Sequence, residues 1–75
     1  MTERKNQAKH HGPVLVTEGW HEGSAGYYDD DQSAKIAVVY WGMPGKSDYS
    51  LIERRYLVNV TSETAVRLGW KAGTG

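Results

Sequence analysis

Val14-Leu15-Val16-Thr17-Glu18-Gly19-Trp20-His21-Glu22-Gly23-Ser24-Ala25-Gly26-Tyr27-Tyr28 is the stretch on which the fold turns. Val14 and Val16 alternate with Leu15, the period of a β-strand. Gly19 and Gly23 permit a sharp reversal with positive φ. Gly26 stands where a side chain would clash as the second strand starts against the first. Tyr27 and Tyr28 then face opposite sides of that strand. The stretch reads as strand, glycine turn, strand.

Working outward, residues 13–17 form the first strand and residues 25–29 the second. Asp29-Asp30-Asp31-Gln32-Ser33 reads as a polar hairpin connection. Residues 35–41 are the strongest strand. Ile36, Val38 and Tyr40 lie on one face and Ala37, Val39 and Trp41 on the other, so it should be central and packed on both sides. Gly42-Met43-Pro44-Gly45-Lys46-Ser47 is a turn. Residues 48–52 make a fourth strand, Glu53-Arg54-Arg55 suits one helical turn, and residues 56–60 make a fifth strand. Thr61 or Ser62 can cap a short helix reaching about Leu68, with Gly69 as its stop, and a strand from Ala65 to Trp70 is the weaker alternative. Residues 1–11 read as a flexible basic arm, residues 12–70 as the domain and residues 71–75 as a tail.

Composition narrows the classes. The 75 residues make one domain, which buries only about 60–65% of its unfolded surface. Cysteine is absent, so neither disulfides nor thiolate metal sites supplement the core. Phenylalanine is absent too, leaving Val, Ile, Leu, Tyr and Trp as the bulky core residues. The longest apolar run, Ile36-Ala37-Val38-Val39-Tyr40-Trp41, is far too short to span a membrane. The opening residues carry no apolar signal-peptide core, so a soluble cytoplasmic chain is expected. Nine basic and nine acidic residues cancel. A nucleic-acid binder usually shows a basic excess.

The spacing V-x-V-x-x-G-x-x-x-G-x-x-G-x-aromatic over residues 14–28 resembles the KOW motif of ribosomal and transcription-elongation proteins, with Tyr28 where that family usually has Val. The resemblance covers about a fifth to a quarter of the chain. It implies a mainly β, five-stranded SH3-like barrel, here with a short C-terminal helix and a flexible N-terminal arm. It also implies that the glycine loop contacts RNA or protein. The family's loop usually offers basic and small residues. This loop offers Trp20, His21 and Glu22 and is followed by three aspartates, and carboxylates repel a phosphate backbone. A second resemblance is to the small plasmid-borne, trimethoprim-resistant dihydrofolate reductases, also SH3-like barrels. Where their pore carries Val-Gln-Ile-Tyr, this chain has Tyr49-Ser50-Leu51-Ile52. The ligand-contacting Gln and Tyr are missing, which supports the barrel and argues against the activity.

No catalytic or metal constellation has working spacing. His21, Glu22 and the aspartates do not follow a calcium-loop pattern. Ser24, His21 and Asp29 are the residue types of a hydrolytic triad without its order or its nucleophile elbow. Gly42 and Gly45 are too close for a phosphate loop, and Pro44 removes a cradle amide. No cofactor is expected. The aromatic residues carry more information, because a small barrel can bury only about half of them and exposed aromatics favour binding. Trp20 and His21 at the loop tip are the foremost candidates. Trp41 and Tyr49 flank one hairpin and are expected to share a face. Arg54 and Arg55, with Lys35 and Lys46, offer a modest basic patch beside aromatics. The expected function is a non-enzymatic binding module for a protein partner or for self-association. A KOW-like RNA- or DNA-associated module is the alternative, and a small barrel enzyme subunit a more distant one.

Overall fold

In the computed structural model, the described residues are Ala8 and residues 10–72. Five strands, a single turn of 3₁₀ helix and one α-helix follow in order: β1 Gly12–Val16, β2 Ala25–Asp31, β3 Ile36–Tyr40, β4 Tyr49–Glu53, the 3₁₀ turn Arg54–Tyr56, β5 Leu57–Asn59 and α1 Ser62–Arg67. All strand pairings are antiparallel and form one sheet in the order β4-β3-β2-β1-β5. The sheet is not closed, because β4 and β5 form its two edges and do not pair.

Alternation along each strand divides the apolar residues between two faces. The inner face gathers Val14, Val16, Tyr28, Val39, Ile52 and Leu57 into the main core, joined by Ala8 and Ala37. Leu57, Val14, Val16 and Val39 are the largest fully buried side chains, each contributing about 1.5–3 kcal/mol by burial. On the outer face, α1 packs over β1 and β2, where Ala25, Ala65 and Trp70 form a second cluster with Tyr27 and Val60 against it. Thr61 caps α1 by accepting a hydrogen bond from the Thr64 backbone N–H at 3.1 Å. The Trp70 indole N–H donates to the Gly42 carbonyl at 3.0 Å and ties the segment after α1 to the β3–β4 turn.

Two expectations are corrected. The aspartates do not form the hairpin connection. β2 continues to Asp31, with an irregular register between Tyr28 and Asp30. That bulge brings Asp31 to the side of the strand where Tyr28 is buried, and the Tyr28 hydroxyl donates to the Asp31 carboxylate. The reversal falls on residues 32–35 instead, closed by the Gln32 N–H donating to Ile36 O at 2.8 Å. Secondly, β3 is an interior strand, but β2 holds the middle of the sheet.

The basic arm anticipated over residues 1–11 lies mostly outside the described residues. Of those described, Ala8 is fully buried in the core, the His10 carbonyl accepts from the Asn59 side chain at 2.9 Å, and the His11 ring meets the Tyr28 ring edge-on at 4.7 Å.

Candidate functional site

The loop between β1 and β2 is built from two overlapping turns. Glu22 N–H donates to Gly19 O at 3.2 Å and Ser24 N–H to His21 O at 3.0 Å. Gly19 and Gly23 have φ of 89° and 90°, values that L side chains rarely adopt. Hydrogen bonds from Gly23 N to Val16 O at 2.8 Å and from Thr17 N to Tyr56 O at 2.7 Å staple the loop base to the sheet. The Thr17 hydroxyl adds a third bond, to the same Tyr56 carbonyl. The tip is therefore held by its own backbone, without help from the Trp20 side chain.

Trp20 is 94% exposed. Its neighbour His21 folds back onto Trp41, with ring centroids 5.1 Å apart. Between this loop and β4 runs a groove of about 330 Å³. Glu18, Trp20 and His21 line it from the loop, and Leu51, Ile52 and Glu53 from β4, with Val16, Ile36 and Tyr56 between them. The groove is largely apolar with a carboxylate at each margin. A second hollow of about 390 Å³ is lined by Trp41 and by small and polar groups such as Ser24, Ser47 and Asp48.

Trp41 and Tyr49 do not share a face. Tyr49 lies directly opposite Tyr40 in the β3–β4 register, and their rings are 5.5 Å apart on the outer face. Trp41 is one residue further along, so its side chain turns to the inner face. There it packs against the core and donates its indole N–H to Ser50 Oγ at 3.0 Å. The outer face carries a row of rings instead. Tyr27 stands opposite Tyr40, Tyr40 opposite Tyr49, and Tyr27 lies 5.6 Å from Trp70. Helix α1 does not reach the β4 end of this row, where Tyr49 is 57% and Leu51 52% exposed.

Both arginines are engaged within the fold. Arg54 donates to the Ala34 carbonyl at 3.2 Å, while its buried Nε has no partner among the described residues. Arg55 pairs with Glu53 at 2.7 Å, and its guanidinium carbon lies 5.1 Å from the Tyr56 ring centroid. The Tyr56 hydroxyl and the Glu53 carboxylate hold the Arg55 pKa above its ordinary value. Lys35 and Lys46 sit in different turns, at opposite ends of β3. Among the described residues, no three His, Asp or Glu side chains converge as metal ligands, and no helix is long and apolar enough to cross a membrane.

Sequence reasoning missed Leu51, whose exposure follows from the edge position of β4. It also missed Asp31 as the partner of Tyr28, because three consecutive aspartates look alike until the bulge selects one. Comparison with known protein families, curated proteins and solved structures found no match.

Proposed function

We propose that this domain is a non-enzymatic protein-binding module that takes its partner along the groove between the Trp20 loop and β4. The observation that carries this reading is an indole 94% exposed on a turn rigidified by backbone hydrogen bonds. Exposing an indole is costly in water, and a pre-ordered one loses little entropy on binding. Aromatic anchors of this kind dominate interface energetics. The glycine spacing of residues 14–28 and the strand order support placing the module among SH3-like barrels of the KOW kind.

A random-peptide display selection against the purified domain tests the reading. Enriched peptides should lose at least about tenfold in affinity on Trp20→Ala, while the melting temperature stays unchanged. No enrichment, or binding indifferent to Trp20, would overturn it. The glycine spacing also favours a nucleic-acid reading. Fluorescence anisotropy with single-stranded RNA and DNA at low salt decides between them. Binding that falls steeply with salt and is lost on Arg54→Ala with Arg55→Ala would replace the protein reading.

A further inference from the structure

Among the described residues, the β4 edge presents an unused hydrogen-bonding row. Trp41 N–H donates to Asp48 O at 3.0 Å and Arg54 N–H to Lys35 O at 2.8 Å, at the two ends of the β3–β4 ladder. With the continuous register between them, alternation turns the N–H and C=O groups of Ser50 and Ile52 toward β3. Those of Tyr49, Leu51 and Glu53 therefore point away from the sheet. Edge strands are usually protected by lysine, proline, a bulge or brevity. β4 has no lysine and no proline, and its five-residue register with β3 is unbroken. The opposite edge, β5, is protected by brevity, with three residues.

We infer that β4 pairs antiparallel with β4 of a second copy of this chain, about a two-fold axis through Leu51. This rests on the protein-binding reading and names one partner for the β4 side of the groove. The register follows from the sequence of the strand. Centring on Leu51 sets Leu51 against Leu51 and Tyr49 against Glu53 of the second copy, and it uses all three outward residues of each strand. Centring on Glu53 would oppose two carboxylates, and centring on Ser50 would leave Glu53 unpaired. One step beyond the strand, the Leu51-centred register brings the exposed Asp48 toward the Arg54-Arg55 turn of the second copy, so acidic and basic ends meet twice. The outer faces then join, and the two exposed Leu51 side chains cover each other.

A five-residue edge falls short of the roughly 1,000 Å² expected of a stable interface, so pairing is weak. Sedimentation equilibrium should show a shift from monomer to dimer between about 10 µM and 1 mM. Leu51→Lys, which opposes two ammonium groups on the axis, should weaken association at least tenfold. Asp48→Lys should weaken it less, and Val66→Lys on the exposed side of α1 should leave it unchanged. Circular dichroism identifies any variant that fails to fold. Independently of variants, amide hydrogen exchange of Tyr49, Leu51 and Glu53 should slow with protein concentration, while Ser50 and Ile52, already bonded to β3, should not change. A monomeric mass throughout, uniform exchange along β4, or a dimer that survives folded Leu51→Lys would overturn the inference. So would a mass of three or more copies, because pairing β4 on β5 is heterologous. A persistent monomer that still binds selected peptides through Trp20 would sink the dimer and leave the binding module standing.

Discussion

A methyl group at Gly26 would sit 2.7 Å from the Tyr40 carbonyl oxygen, 2.8 Å from Val39 Cγ1 and 2.9 Å from Trp41 Cε3. One of these neighbours is backbone and the others are core-facing, so Gly26→Ala must displace the β3 end of the sheet. The expected loss is about 2–3 kcal/mol. At Gly23 a Cβ meets nothing within 4 Å and only the φ of 90° opposes it, so Gly23→Ala should cost about 1 kcal/mol. Urea denaturation of both variants checks the ordering. Tyr28 gives a prediction in pH. Burial first, then its bond to Asp31, raises its pKa from 10.0 to about 12. Above about pH 10 the unfolded chain gives up this proton while the folded chain keeps it, so stability falls between pH 10 and 12. Tyr28→Phe should remove that part of the alkaline loss, measured as the difference between urea midpoints at pH 9 and pH 11.5. At this scale the glycine spacing was legible because a turn imposes its φ requirement locally. The Tyr28–Asp31 pair was not, because it depends on a bulge set by pairing with β3.

Strand and helix positions followed the sequence to within a residue or two where local chemistry fixes them. The helix is the clearest case, with Thr61 as its cap and the last helical residue just before Leu68. Thr61→Ala should cost about 1 kcal/mol, visible as an earlier thermal transition. β2 was misread at its end because aspartates are usually turn residues. Here the exposed Asp29 and Asp30 are tolerated on a strand whose far end faces solvent. The faces of the β3–β4 hairpin were legible only in part. Alternation assigned each residue to one of two sides, but the cross-strand register decided that Tyr49 joins Tyr40 and not Trp41.

At the scale of the molecule, the sequence conveyed strand number and order of elements but not closure. From Glu53 to Leu57 the chain can span at most about 14 Å, whereas the edges of a flat five-stranded sheet lie about 19 Å apart. The sheet must therefore curl until its edges approach, yet the last ladder is not made. The groove beside β4 is a product of that incomplete approach. With so small a core, the outer cluster matters to the whole. Trp70 is 8% exposed and bonded to Gly42, and Trp70→Ala should cost about 3–5 kcal/mol. That is a large part of the roughly 5–15 kcal/mol available to a folded domain, and circular dichroism should find much of the variant unfolded at 37 °C.

The loop indole also makes the protein its own optical probe. The three tryptophans occupy three different surroundings: Trp20 in water, Trp41 against an imidazole, and Trp70 buried with a carbonyl on its N–H. Iodide should quench Trp20 first, because it alone projects fully into solvent. Unfolding should red-shift Trp70 while leaving Trp20 emitting as it did in the native state. Emission colour and quencher access thus separate the exposed loop from the buried outer cluster in a single unlabelled sample.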